Sequence, residues 1–236
     1  MAVLQQAIRF FGHLFRQHYG LSEAIQPETL LLPAEHVIEG TEKEMRRLAS
    51  AGRAALGVEL KVVNAQGKEV VPGEVGEIII RGDHIMKGYW KLPEVTAATI
   101  RDGWLYTNDL ATVDEDGFIY LVDRKDDLII SGGFNIYPRE VEEVLYTHPA
   151  IREAVVFGVP DQEWGECVVA VVVLKEGKQA TAEEIIAHCR ANLAGYKKPR
   201  IVKFVDQLPQ NASGKILRRE LQRLWCEEQS EKGGEA

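Results

Sequence analysis

The sequence predicts an α+β, mixed fold, β-rich in its first half and an alternation of helices and strands in its second. Three observations carry this. Apolar residues alternate with period two at Val58, Leu60 and Val62, the pattern of a half-buried strand, and recur in EIIIRG between turn-rich stretches. A charge cluster at Arg124, Asp126 and Asp127 then interrupts two apolar runs. Beyond it, helical and extended patterns take turns to the end of the chain.

Taken in order, residues 1 to about 17 read as an amphipathic helix with Val3, Ala7, Phe11, Leu14 and Phe15 on one face. That packed face argues against an organellar transit peptide, although Arg9 and Arg16 precede the first acid, Glu23. Residues 25 to 55 are the least legible, with Pro27, Pro33 and an EKEMRRL run that suits a short exposed helix or a loop. NAQGKEV and PGEVG supply turns around the 58–62 strand and EIIIRG. DGWLYTNDLATVDEDGFIYLVDR reads as a hairpin turning at DEDG, with Asp109 at the end of its first strand.

Residues 120–143, YLVDRKDDLIISGGFNIYPREVEE, follow the DEDG hairpin turn. A strand from Leu128 to Ile130 leads to Gly132 and Gly133, and Pro138 suits the first position of a helix. On these residues alone, an ordinary hairpin with a charged turn and a crossing between two folding units both remain open. The 138–146 helix turns Val141, Val144 and Leu145 inward. EAVVFGV and CVVAVVVLKEG are strands, the second apolar enough to be buried on both faces. Thr181 and Glu184 form a capping box opening EEIIAHCRANLA, and IVKFVDQLP is a third strand. From about residue 229 the tail lacks the apolar content to order itself and is expected to be disordered.

At 236 residues, with 45% hydrophobic and 27% charged, the composition is that of a globular protein. The net charge of −8 divides evenly, 14 basic and 18 acidic residues lying on each side of the Lys125–Asp126 boundary. Such a balance gives no footing for nucleic acid or an anionic membrane. Cys167, Cys189 and Cys226 have neither CxxC spacing nor paired histidines, so the expected setting is reducing and cytoplasmic, without disulfides or zinc. No apolar run approaches the roughly 20 residues of a transmembrane helix.

The 120–143 run resembles the hinge segment of the adenylate-forming enzymes, which include acyl-CoA synthetases, aryl-CoA ligases, luciferase and peptide-synthetase adenylation domains. YGLSEA (19–24), GEVGEIIIRGDHIMKGYW (73–90), DGWLYTNDLA (102–111) and LPQNASGKILRREL (208–221) are similar to four further motifs of that family, in its order and spacing. The resemblance implies that residues 1–125 form the β-rich C-terminal part of the family's large AMP-binding domain, left incomplete, and residues 126–236 its small mobile domain.

The resemblance also implies roles. Tyr19 and Gly20 would lie by the adenine and Ser22 by phosphate, while Glu23, which alone would read as a solvated surface acid, would hold Mg²⁺, a hard cation suited to carboxylate and phosphate oxygens. Asp109 would accept both ribose hydroxyls, and Arg124 would contact the same nucleotide. The family's commoner text at 107–109 is TGD, so Asn108 is a departure that bears on the local turn. Asp126 would be the hinge. Gly132, Gly133 and Trp164 would face CoA, joined by Tyr196, Lys198 and Arg200 from a run of five cations without an acid between Ile185 and Val205. Lys215, after Ser213 and Gly214, would be the catalytic lysine bridging the substrate carboxylate and the α-phosphate.

The implied activity is that of an acyl-CoA synthetase: a carboxylic acid, ATP and CoA give acyl-CoA, AMP and pyrophosphate through an acyl adenylate, with Mg²⁺. The family's phosphate-cradling loop, rich in Ser, Thr and Gly and ending in lysine, has no match here, and most of the acyl pocket would also lie upstream. The expected partners are therefore the small molecules and a missing N-terminal half or complementing chain. Two alternatives compete: a non-catalytic CoA- or partner-binding module, and an adenylation domain loading a carrier protein. The SGGFNIYPREVEE text resembles acyl- and aryl-CoA ligases more than the latter.

Overall fold

A computed structural model describes residues 2–212 and 214–233 of the protein, without the side chains at 2, 26 and 229–233. The chain divides into two compact units, Met1–Lys125 and Asp126–Ala236. Both mix helices with sheets, and the fold class is α+β.

The N-terminal unit begins with α1 (Ala2–Phe11), which is shorter than its sequence pattern suggested. Gly12 takes φ 76°, a left-handed turn that stops the helix and carries Leu14 and Phe15 off its face. The expected buried stripe is not what packs. Ile8 is buried at 3% exposure, while Val3, Phe11 and Leu14 stay 80%, 58% and 73% exposed.

Three antiparallel strands follow in the order β1 (Gln17–Leu21), β2 (Ala24–Leu31) and β3 (Arg53–Ala54). Between β2 and β3, α2 (Glu42–Arg46) starts on a capping box: Thr41 Oγ1 accepts from the Glu44 N–H, and the Glu44 carboxylate accepts from the Thr41 N–H.

A second sheet contains β4 (Glu59–Val63), β5 (Gly76–Arg81), β6 (Ile100–Arg101), β7 (Trp104–Val113) and β8 (Ile119–Arg124), with α3 (Pro93–Thr99) leading into β6. Its order is β4-β5-β7, and β6 and β8 both pair with β7. The β7–β8 hairpin turns at 114–117, where Asp114 Oδ1 accepts from the N–H groups of Asp116 and Phe118. Asp109 is not at a strand end. It lies in mid-β7, directly across from Arg124 on β8, because the irregularity at Asn108 bends the strand without ending it. Ile78, Ile80, Val62, Ala111 and Ile119 form the core beneath.

In the C-terminal unit, β9 (Ile129–Ser131) and β10 (Phe134–Ile136) form a short hairpin over Gly132 and Gly133. Then come α4 (Pro138–Tyr146), β11 (Ile151–Asp161), β12 (Gly165–Leu174), α5 (Ala182–Asn192), β13 (Ile201–Phe204) and α6 (Arg218–Gly233). Strand β12 is central: β11 pairs with it antiparallel, β13 parallel, and β9 touches it at the Gly165–Ser131 pair.

Its two faces feed two cores. Val168, Ala170 and Val172 pack with Val141, Leu145 and Ile185 of α4 and α5, whereas Cys167, Val169 and Val171 pack with Leu221 and Trp225 of α6. This two-sided burial is why the strand reads as an unbroken apolar run. Helix α6 continues to Gly233, past residue 229 where the sequence suggested disorder, and residues 234–236 lie outside those described. Among the described residues, no helix is long and apolar enough to cross a membrane.

Candidate functional site

The polar cluster of the N-terminal unit is built around Asp109. Tyr19 Oη donates to Asp109 Oδ2 at 2.7 Å, and Arg124 Nε approaches Asp109 Oδ1 at 3.1 Å. Each carboxylate oxygen thus has one protein donor and keeps capacity for another. Burial, reinforced by the Asp109 charge, pushes the Tyr19 phenol far above its ordinary value, so it stays a neutral donor.

The backbone beneath Asp109 is fixed in turn. Asn108 takes φ 65°, and its N–H donates to Glu77 Oε1 at 3.1 Å, while Thr107 Oγ1 accepts from the Asp109 N–H at 3.1 Å and donates to Ile78 O at 2.8 Å. Glu77 is 9% exposed, and its other oxygen receives Lys125 Nζ at 2.8 Å. The departure from TGD is accounted for: the position requires a left-handed φ, and asparagine is among the few non-glycine residues that accept it readily.

Gly20 sits where the β1–β2 register shifts between Tyr19 and Leu21, and Ser22 is exposed in the following turn. Glu23 shares that turn. Its Oε1 accepts from Tyr89 Oη at 2.9 Å, and its carbonyl accepts from the Met86 N–H at 2.8 Å. Burial and the Glu23 carboxylate raise the Tyr89 phenol, whereas the Arg124 charge lowers both Tyr89 and Tyr19. Direct contacts thus bring Tyr19, Asp109 and Arg124 together, and a separate one joins Glu23 to Tyr89. Tyr89 was missed by sequence reasoning, although it stands in the GYW text of a recognised motif.

Among the described residues, no group of three or more His, Cys, Asp or Glu side chains is placed to hold a metal ion. The donor set at Glu23 is a single carboxylate with one oxygen engaged. This fits a Mg²⁺ ion that draws its remaining ligands from phosphate and water.

In the C-terminal unit, Gly132 and Gly133 take φ 58° and 80° at the β9–β10 turn. The Gly132 N–H donates to Trp164 O at 2.8 Å, and a Cβ there would lie 2.8 Å from Trp164 Cε3, so only glycine fits. The Arg200 guanidinium lies 4.3 Å from the centre of the Trp164 ring, whose buried Nε1 has no hydrogen-bond partner among the described residues. Tyr196 stacks on Phe134 at 4.6 Å, an exposed aromatic pair whose Phe134 member went unread in the sequence.

Lys198 and Arg200 both pull down the Cys167 thiol, which burial holds above its usual value. Lys197 instead pairs with Glu140 at 2.6 Å. Gly132, Gly133, Trp164 and Arg200 are thus brought together, with Tyr196 held by its own partner Phe134.

Lys215 is exposed on a tight loop. Asn211 Oδ1 accepts from the Lys215 N–H at 2.9 Å, the Asn211 N–H donates to Lys215 O at 2.9 Å, and Gly214 takes φ 80°. Among the described residues nothing engages its ammonium; Ser213 lies outside them. Asp126 opens the unit in a 3₁₀ turn, Lys125–Asp127, and pairs with Arg219.

Comparisons with known proteins identify relatives of the chain. The AMP-binding enzyme family profile matches residues 1–90, and the AMP-binding enzyme C-terminal domain profile matches residues 140–215. A feruloyl-CoA synthase from an Amycolatopsis species is 46% identical over 212 residues, covering 90% of this chain and 42% of that protein. A 2-succinylbenzoate–CoA ligase from Geobacillus kaustophilus is 46% identical over 221 residues, covering 94% and 43%.

Among solved structures, the Bacillus subtilis o-succinylbenzoate CoA synthetase with its acyl-adenylate intermediate superposes with a TM-score of 0.80 at 40% identity, covering 92% of this chain and 43% of that one. The same enzyme solved with ATP and magnesium gives 0.79 at 39%, covering 93% and 44%. The chain spans less than half the length of these relatives. With both profiles matched, the chain belongs to the AMP-binding, adenylate-forming enzyme family, among relatives that are CoA ligases.

Proposed function

We propose that the chain is the nucleotide- and thiol-handling portion of an acyl-CoA synthetase, joining a carboxylic acid to CoA at the expense of ATP through an acyl adenylate. The observation that carries this reading is Asp109: its carboxylate is oriented by Tyr19 and Arg124 on a backbone fixed by Asn108, yet retains lone pairs for two ribose hydroxyls. A carboxylate suits a vicinal diol because both partners then donate and both oxygens accept.

In the first half-reaction the acid's oxygen attacks the α-phosphate and pyrophosphate leaves. An anion attacking a polyanion needs its charge neutralised, which is Lys215's role, its ammonium being unengaged within the described residues. Mg²⁺, when bound, would offset phosphate charge at Glu23, and Tyr89 would hold that carboxylate in place. In the second half-reaction the CoA thiol gives up its proton to solvent, its sulfur attacks the acyl carbon, and AMP leaves with the electrons of the broken acyl C–O bond. Gly132, Gly133, Trp164, Tyr196, Lys198 and Arg200 offer a glycine turn, a stacking surface and cations for the CoA chain and its phosphates. Asp126 is the pivot about which the C-terminal unit changes between the two half-reactions.

The exposed apolar residues Val3, Phe10, Phe11 and Leu14 suit packing against a complementing polypeptide equivalent to the remaining length of the relatives. Calorimetric titration with AMP tests the nucleotide assignment, using the chain joined to the upstream portion of the Geobacillus ligase. Asp109→Asn is expected to weaken AMP about 10- to 100-fold, the worth of hydrogen bonds to a charged group. Equal affinity in both proteins would refute the assignment.

A further inference from the structure

Three consecutive residues at the boundary are anchored differently. Lys125 is tied within the N-terminal unit, its ammonium 2.8 Å from Glu77 Oε2, the same carboxylate that fixes Asn108. Asp126 and Asp127 are tied within the C-terminal unit, to neighbouring arginines at the start of α6. Arg219 pairs with Asp126. Arg218 spans two carboxylates, with Nη1 2.5 Å from Asp127 Oδ2 and Nη2 2.7 Å from Glu142 Oε1, and Glu142 Oε1 also accepts from the Val156 N–H on β11.

The two pairs differ in strength. The side chains of Arg218, Asp127 and Glu142 are 19%, 16% and 15% exposed, so water competes weakly for them. Arg219 and Asp126 are 73% and 53% exposed, a screened pair that can only assist. The start of α6 is continuous with the Lys215 loop, whose ends are closed by the Leu217 N–H to Pro209 O bond at 2.9 Å and the Gln210–Ile216 bridge.

We infer that Arg218 and Arg219 are positioning residues that latch the boundary backbone after Lys125 onto the C-terminal unit. Rotation at the boundary is thereby confined to ψ of Lys125 and φ of Asp126, and the Lys215 loop turns with the Asp126 and Asp127 side chains as one body. Arginine is required at 218 because only a planar fork reaches two carboxylates at once; a lysine presents a single point charge. The consequence for catalysis rests on the ligase reading, but the latch itself does not.

Backbone ¹⁵N relaxation on this chain, which needs neither nucleotide nor acid, tests the latch, so its failure is separable from any failure to detect AMP release. Asp126 and Asp127 amides are expected near the rigid value of about 0.85 in order parameter. Arg218→Lys should lower Asp127 below about 0.6, and Arg219→Asp should lower Asp126 by a smaller amount. Exchanging the charges, Arg219→Asp with Asp126→Arg, should restore Asp126, which loss of a merely structural residue would not do. Order parameters at 126 and 127 unchanged in both single variants would overturn the proposal. A loss spread evenly over α4, β11 and the boundary would also overturn it, since that marks general loosening of the unit.

Discussion

Tyr19 and Asp109, 90 positions apart in the chain, meet through a 2.7 Å hydrogen bond that joins the first sheet of the N-terminal unit to the second. Because burial and Asp109 raise the Tyr19 phenol, the unfolded chain releases that proton first as pH climbs. The stability it contributes is fully present below about pH 10 and falls as pH rises beyond it. Tyr120, pushed up to about 12 by burial and Asp114, acts in the same direction. Urea midpoints at pH 8 and 10.5 should therefore fall more steeply for the wild type than for Tyr19→Phe; equal slopes would show that the phenol does not titrate with folding.

Asn108 is expected to tolerate glycine and to resist residues with branched side chains. At φ 65° a β-branched residue meets the left-handed penalty of about 1–2 kcal/mol, so Asn108→Val should lower stability by about that amount and Asn108→Gly should not. Chemical denaturation of the three proteins decides it. Equal loss in both variants would instead assign the effect to the Asn108 side chain.

Much of the fold was legible because local signals agreed with tertiary packing. The DEDG turn, the Thr181–Glu184 capping box and the unbroken apolar run of β12 each state their environment directly. The region 25–55 did not. Pro27 argues against a strand, yet β2 passes through it, its ladder pairs falling at Ala24 and Thr29–Leu31. The Thr41–Glu44 capping box was present in that text and would have identified α2.

At the candidate site, motif text carried Tyr19, Glu23, Asp109 and Arg124, while their supports stayed hidden. Glu77 acts on the Asn108 amide across 31 positions, a separation at which no periodicity reports a partner. The N-terminal helix misled for a local reason: Gly12 ends it before Leu14, and Val3, Phe11 and Leu14 stay exposed while Ile8 is the position that is buried.

Those exposed apolar residues carry a prediction of their own. Sedimentation velocity should show concentration-dependent self-association that weakens when Phe10, Phe11 and Leu14 are replaced by serine. A sharp monomer at every concentration would count against a packing face there.

Lys215→Ala, in the chain completed with a relative's upstream portion, should depress adenylation by roughly 100- to 1000-fold, the usual cost of one aimed transition-state donor. Thioester formation from supplied acyl adenylate should change far less. Pyrophosphate exchange and thioester assays run in parallel separate the two, and equal losses would make Lys215 structural.

AMP release tests the central claim most directly. The chain alone, without a match to the family's phosphate loop, is predicted to release no AMP above background with ATP, Mg²⁺, CoA and a panel of fatty and aryl acids. The completed enzyme is predicted to release AMP in step with acyl-CoA for at least one of those acids. A completed enzyme that folds and binds AMP, yet releases none with any acid, would contradict the ligase reading.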